Sequence, residues 1–184
     1  MNNSKSLTIS ASEFKSIIKD LVENDTVKKM NNFRQHYDTT CFDHCYKVAL
    51  YNYIICKKLK LDYISATRAG MLHDLFLYDW RIKQPGRKRL HAFHHPRTAL
   101  ENSMKLFNLN SKEKDIILKH MWPVTFVPPR YIESYITTFV DKYCALEESF
   151  IHYKQNQKLN KIYRYAYVFL SLLVIRIIWF KTDL

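Results

Sequence analysis

The sequence predicts an all-α domain, and three observations support this prediction. The chain of 184 residues contains 2 glycines and 5 prolines, which is few for the tight turns of a multi-stranded sheet. Apolar residues recur at helical spacing along most of the chain, and no segment has a clear strand pattern. Hydrophobic residues make up 47% of the chain, enough for a buried core, so a disordered chain is excluded.

Capping patterns mark the starts of the first two helices. Residues 10–13 (SASE) match a capping box, and apolar residues at helical spacing follow, which predicts a helix over Ala11–Val22. Residues 40–43 (TCFD) start a second, longer helix that ends near Lys60. Its apolar stripe includes His44, so we expect this histidine to be buried.

The third helix is expected to begin after Asp62 and to end at the adjacent residues His73 and Asp74. One face of this helix carries small side chains, which allow a neighbouring helix to approach closely. These small residues are Ala66, Ala69 and Gly70. Residues 78–94 contain basic and turn-forming residues without periodicity, so we expect a loop there.

Three further helices complete the predicted bundle. Pro96 predicts a helix start, because proline is favoured at the first helical position. Residues 110–113 (NSKE) match the capping box of a helix that reaches His120. A last core helix is expected to begin near residue 130 and to carry Asp141 on a line of polar and small residues.

These patterns predict a bundle of about six helices at residues 8–150, followed by a basic linker and a hydrophobic C-terminal helix at residues 151–184. Segment 166–180 is apolar on all sides apart from Ser171 and Arg176. It is shorter than the ~20 residues of a typical spanning helix, but tyrosines and a tryptophan flank it as interfacial anchors do. We predict a membrane anchor that leaves the domain in the cytoplasm. Packing against the domain or in a homodimer is the open alternative.

The charge of the chain favours anionic partners. The formal net charge is +12, which suits phosphates, nucleic acid or acidic lipid head groups. Glycine-rich nucleotide-binding loops are excluded, because Gly70 and Gly86 stand alone. The basic residues are spread along the chain without a recognised nucleic-acid module.

The four cysteines have no C-x-x-C spacing, and residues 1–12 do not resemble a secretory signal. We therefore expect a reducing compartment and cysteines that are buried in helices as small, semi-apolar side chains.

Histidines and aspartates on separate predicted helices form the candidate site. His44, the adjacent pair His73 and Asp74, and Asp141 lie on predicted inner faces. Imidazole and carboxylate together suit a divalent metal with open coordination positions. Consecutive helical side chains point about 100° apart, so both members of the pair can reach one ion only near a helix end.

The order of these residues resembles the HD superfamily of metal-dependent phosphohydrolases, whose signature is a histidine, a His-Asp pair and a distal aspartate. The resemblance covers residues 36–145 and includes two intervening histidines, His95 and His120. Within the superfamily the chain is most similar to small stand-alone bacterial HD-domain proteins, on the segments Gln35-His36, 91–96 (HAFHHP) and 119–123 (KHMWP).

The resemblance implies an HD-type helical bundle and assigns roles to six residues. It makes four of them ligands of a first metal: His44, His73, Asp74 and Asp141. It makes His95 and His120 ligands of a second metal or donors to phosphate oxygens, and it lets Asp74 orient the nucleophilic water. One or two divalent ions are implied, and manganese, iron, magnesium, cobalt and nickel are not distinguished.

The chain departs from the HD-GYP branch, in which a glycine and a lysine follow the His-Asp pair. Here Leu75, Phe76 and Leu77 follow it, and there is no Gly-Tyr-Pro sequence. A cyclic dinucleotide substrate therefore has no support.

Basic residues after the His-Asp pair are candidates for binding a substrate phosphate. They are Arg81, Lys83, Arg87, Lys88 and Arg89. A solvated loop without a ligand is the alternative. Asp79 is a candidate outer acid or base, with a plain loop carboxylate favoured. His36, His91 and His94 belong either to the site or to the surface.

We therefore expect metal-dependent hydrolysis of a phosphate ester, with a nucleotide or another phosphorylated small molecule as substrate. The alternative is a regulatory module that binds a metal or nucleotide without turnover. A third hypothesis is a basic binder of membrane surfaces or nucleic acid, whose association would depend strongly on salt.

Overall fold

A computed structural model describes residues 10–82, 91–155 and 165–173 of the chain. It is mainly all-α, as the sequence predicts. The seven helices with defined bounds in these ranges are α1 Ala11–Val22, α2 Asp25–Lys28, α3 Cys41–Lys58, α4 Tyr63–Leu72, α5 His91–Leu106, α6 Ser111–Lys119 and α7 Ile132–Gln155. A short 3-10 helix, Lys29–Asn32, follows α2, and residues 165–173 are also helical. The six predicted core helices are all present.

Helix starts follow the predicted caps. The Ser10 side chain accepts a hydrogen bond from the Glu13 backbone N–H at the start of α1. Asn110 and Glu113 form a complete capping box at the start of α6, and Asp62 caps α4. These local bonds satisfy backbone N–H groups that have no partner inside the helix.

Two local predictions are wrong. A small antiparallel sheet pairs β1 Arg34–His36 with β2 Thr39–Thr40, although no strand was expected, because strands this short carry no periodic pattern. Helix α5 begins at His91, and Pro96 lies inside it. Proline at the sixth helical position removes one backbone hydrogen bond, and the turn before it is held by the stacked rings of His91 and His95, whose centroids are 4.4 Å apart.

Helix α3 lies at the centre of the bundle and packs against both α4 and α7. The close approach of α3 to α4 depends on Gly70, as the small-residue face of α4 predicts. A Cβ atom at Gly70 would lie 2.7 Å from Asn52 Nδ2 and 3.1 Å from Ala49 Cα. All four cysteines are free and buried, which confirms their predicted packing role.

The helix at residues 165–173 lies against α3 and α7 through one face. Tyr167 stacks on Phe150 with ring centroids 4.5 Å apart, and Leu170 packs on the same apolar cluster. The opposite face exposes apolar side chains, including Tyr165 and Phe169. Across the described residues, no helix has both the length and the apolar character needed to cross a membrane. Residues 174–180 of the predicted anchor lie outside the described ranges.

Candidate metal centre

His44 lies on the inner face of α3, with none of its side chain exposed. Its Nε2 atom is 3.1 Å from Asp141 Oδ1 on α7. Its Nδ1 atom is 3.1 Å from both carboxylate oxygens of Glu148, also on α7. The imidazole is therefore held between two carboxylates, one on each side of the ring.

His73 and Asp74 follow the last residue of α4, where the chain leaves the helix. His73 Nδ1 lies 2.8 Å from the Gly70 carbonyl oxygen. His73 Nε2 lies 3.5 Å from Asp74 Oδ2 and 3.6 Å from Asp141 Oδ1. The helix end thus allows two consecutive side chains to point into one cluster, as the geometric argument from sequence required.

His95 on α5 and His120 after the last residue of α6 complete the cluster. Their Nε2 atoms are 2.8 Å apart. Both face Asp74 Oδ1, at 3.2 Å from His95 and 3.5 Å from His120. All six predicted ligand residues therefore lie in one buried group.

Three of these histidines share the same backbone contact. The Nδ1 atoms of His95 and His120 each lie 2.9 Å from a carbonyl oxygen, of His91 and Ile117 respectively, and His73 makes the corresponding contact to Gly70. A carbonyl only accepts hydrogen bonds, so each Nδ1 carries the proton and, in the neutral ring, each Nε2 keeps a lone pair. Metal-ligating histidines are oriented in this way by the hydrogen bond of their other nitrogen.

A divalent cation fits this arrangement. Two neutral imidazoles repel each other when their Nε2 lone pairs face at the 2.8 Å seen between His95 and His120, and a shared cation removes that repulsion. His73 Nε2 and Asp74 Oδ1 are buried and form no hydrogen bond among the described residues. Buried polar atoms without partners are costly, and coordination to a metal satisfies them.

Three groups of described residues have ligand atoms that lie within 4.8 Å of one another, close enough to share an ion. One contains His36, His44 and Glu148. The two that consist of predicted ligands only are His44, His73 and Asp141, and His73, Asp74 and His120. His95 joins the last of these groups through its contacts to Asp74 and His120. Mixed imidazole and carboxylate ligands suit several first-row divalent ions and magnesium, so the donor set selects no single metal.

The carboxylates of the cluster carry negative charge that a cation can balance, and one of its histidines is held neutral. Burial raises the pKa of the Asp141 carboxyl, but the hydrogen bond from His44 and the nearby His73 ring outweigh burial and hold the pKa well below its usual range. Burial lowers the pKa of His44, yet its bonds to Asp141 and Glu148 raise the pKa well above 6.5. Burial and the nearby charge of His73 lower the pKa of His120 to about 3. Ionised carboxylates thus face at least one neutral imidazole.

Sequence reasoning missed two residues of the cluster. Gln35 on β1 donates a hydrogen bond from Nε2 to Asp74 Oδ2. Gln35 belongs to a segment that resembles HD-domain proteins, but no role in the site was predicted for it. Glu148 was not singled out at all. It lies two helical turns after Asp141, so the polar line that includes Asp141 on α7 continues to it. Extending that line by one step would have identified it.

The cluster opens into a cavity of about 360 Å³. Its lining includes the proposed ligands Asp74 and Asp141 and the apolar residues Met121 and Val124. Among the described residues, Lys142 is the one lysine or arginine that lines this cavity. Its Nζ atom donates to the carbonyl oxygen of His120 at 3.0 Å, which fixes a positive charge beside the cluster.

The three undecided histidines separate into two groups. His36 and His91 line the cavity, and the His91 ring stacks between Trp80 and His95, at centroid distances of 5.5 and 4.4 Å. His94 is exposed and lies outside this cavity.

The basic stretch after the His-Asp pair is described only at its start. The Arg81 guanidinium binds the Asp79 carboxylate through two bonds of 2.9 and 2.7 Å, and it does not line the cavity. These bonds lower the pKa of Asp79. The other four candidates lie outside the described residues: Lys83, Arg87, Lys88 and Arg89. Phosphate binding by this stretch stays a prediction.

Neither a protein-family model nor a curated protein sequence matches this chain. The geometry of the histidine and aspartate cluster is therefore the basis for inferring a function.

Proposed function

We propose that this protein is a metal-dependent hydrolase of phosphate esters, of the kind that the HD resemblance implies. One observation carries the proposal. The Nε2 atoms of three histidines, each with its Nδ1–H bound to a backbone carbonyl, converge with Asp74 in a buried cluster beside a cavity. This arrangement provides preorganised ligands together with space for a substrate.

The proposed ligands are the six residues of the cluster: His44, His73, Asp74, Asp141, His95 and His120. When bound there, one or two divalent cations supply a water nucleophile at neutral pH and offset negative charge on the phosphoryl group. Asp74 contacts both His73 and His95, which supports a role in orienting the attacking water. Gln35 holds the Asp74 carboxylate from the opposite side.

Other residues that line the cavity suit the charge and the organic part of a phosphate ester. Lys142 presents its ammonium group beside Asp141, where a cation stabilises charge on phosphoryl oxygens. The apolar lining residues Ala92, Met121 and Val124 suit the organic part of an ester.

Elemental analysis of the purified full-length protein tests the proposal, with the double variant His73→Ala/Asp74→Ala beside the wild type. We expect transition-metal content in the wild type that is lost in the variant. The same samples are assayed on p-nitrophenyl phosphate and bis(p-nitrophenyl) phosphate after addition of manganese, iron, magnesium, cobalt or nickel. We expect turnover by the wild type alone.

Asp79→Asn is the matched control, because it removes a carboxylate that binds Arg81 away from the cluster. It should keep both metal and activity. A wild type that binds no metal and stays inactive with every added ion would refute the hydrolase proposal. Metal binding without turnover of any phosphate ester tested would instead support the regulatory binding module.

A further inference from the structure

We propose that Glu148 is a positioning residue that fixes the orientation of the His44 imidazole for the metal centre. This inference rests on the proposed function, since it assumes that His44 is a ligand. Glu148 lies outside the predicted ligand set, so it adds a residue with a separate role.

The contacts of Glu148 indicate that its carboxylate orients the His44 imidazole. Its side chain is 1% exposed, and both of its carboxylate oxygens lie 3.1 Å from His44 Nδ1. Within the described residues no other side chain places two acceptors on one imidazole nitrogen of the cluster. The N–H at Nδ1 donates to this carboxylate, which leaves the lone pair on Nε2 when the ring is neutral. That Nε2 atom faces Asp141 at 3.1 Å.

His44 differs from the other three histidines of the cluster in the kind of acceptor that its Nδ1 contacts. His73 and His120 lie at helix ends, where backbone carbonyls of the last turn lack helical partners and accept from Nδ1. His95, in the first turns of α5, contacts the carbonyl of His91, whereas Nδ1 of His44, in the first turns of α3, contacts Glu148. A carboxylate from α7 supplies the acceptor instead.

The surroundings of Glu148 hold the carboxylate in place. Lys47 Nζ lies 3.4 Å from Glu148 Oε1 and 3.3 Å from Glu147 Oε2. This lysine offsets the cost of burying the Glu148 charge. The His36 ring packs edge-on against His44 with centroids 5.4 Å apart, which further limits rotation of the imidazole. Carboxylates that bind the second nitrogen of a metal-ligating histidine also raise its strength as a ligand.

Titration of the full-length protein with Mn²⁺, followed by electron paramagnetic resonance, tests this role. Glu148→Ala removes the acceptor, and we expect a 10- to 100-fold loss in Mn²⁺ affinity, roughly the effect of removing such a partner in other metal sites. Glu148→Gln keeps one oxygen acceptor without the charge, so its affinity should lie between those of Glu148→Ala and the wild type. An altered Mn²⁺ spectrum should accompany both substitutions.

Glu147→Gln is the matched control. Glu147 shares the partner Lys47 but does not contact His44, so the variant should bind Mn²⁺ as the wild type does. If the wild type binds metal and both Glu148 variants match it, the role of Glu148 is refuted and the metal centre stands. If the wild type itself binds no metal, both proposals fail.

A measurement on the wild type keeps the inference testable if the Glu148 variants do not fold. The nitrogen NMR spectrum of Zn²⁺-loaded protein, labelled with ¹⁵N in histidine, reports which ring nitrogen carries a proton. We expect a proton on Nδ1 of His44 and none on Nε2. A His44 ring protonated on both nitrogens would show a structural ion pair and would refute the positioning role.

Discussion

Hydrogen bonds of single side chains decide the chemistry of this site. His73 and His120 each donate from Nδ1 to a carbonyl oxygen three residues earlier, in the last turn of α4 and α6. These carbonyls have no partner within their helices. The same bond therefore completes a helix end and directs a nitrogen lone pair into the cluster.

His95 and His94 give a sharp comparison at the residue scale. His95 is buried and its Nε2 faces Asp74 and His120, whereas the adjacent His94 is exposed. We expect His95→Asn to lower Mn²⁺ affinity and phosphatase activity by at least about tenfold, because it removes a ligand and not only a supporting contact. His94→Asn should leave both unchanged. Equal effects of the two substitutions, measured on folded protein, would contradict the assignment of His95.

At the scale of helices, the site depends on how closely α3 and α4 pack. Gly70 lies where any larger residue would meet the backbone of Ala49. Because glycine has no side chain, the two helices approach closely here. The ring centroids of His44 on α3 and His73 after α4 are therefore only 5.5 Å apart. A separation wider by one methyl group would move these two proposed ligands apart.

Helix α1 is fixed to α3 by a carboxylate that gives stability a dependence on pH. Glu13 accepts hydrogen bonds from Lys57, Tyr53 and Tyr63. The bonds from Lys57 and Tyr53 are the main reason that its pKa falls from 4.5 to about 2. Because the folded-state pKa is the lower one, this stabilisation is complete above the unfolded-state pKa and is lost as pH falls through the folded-state value.

We expect Glu13→Gln to unfold at a lower temperature than the wild type near neutral pH, and the difference to shrink as pH falls from about 5 to about 2. Thermal unfolding followed by circular dichroism across this range measures it. Glu23→Gln alters an exposed carboxylate at the end of the same helix and should not reproduce the trend. A difference between wild type and Glu13→Gln that stays constant with pH would contradict the role of Glu13.

At the scale of the whole molecule, the cluster joins five helices into one unit. Its proposed ligands come from α3, from α5, from α7 and from the residues that follow α4 and α6. Without a cation, the facing lone pairs and the buried carboxylates oppose packing of these helices. A bound ion should therefore stabilise the entire bundle.

We expect added Mn²⁺ to raise the free energy of unfolding by about 2.7 kcal/mol when its concentration is 100 times the dissociation constant. Urea unfolding with and without the metal measures this change, and a chelator should reverse it. Asp79→Asn should show the same gain as the wild type. A gain of equal size in His73→Ala/Asp74→Ala would show that the metal acts elsewhere.

Local patterns made much of the fold predictable. Helix α1 has the predicted bounds, and the capping signals of α4 and α6 form as expected, because a cap depends on residues within one turn. The strand pair was missed because β1 and β2 are too short to carry a pattern. The start of α5 was misplaced because ring stacking between His91 and His95 stabilises a turn before Pro96.

The sequence by itself determined the helical class and the capped helix starts, since composition and spacing along one chain carry that information, and its resemblance to the HD superfamily supplied the six candidate ligands. Only the tertiary structure decided which nitrogen of each histidine faces the cluster and that Glu148, Gln35 and Lys142 join it. These features depend on contacts between helices far apart in sequence, such as His44 with Glu148. Local spacing does not encode such distances, because they are set by how α3, α4 and α7 pack.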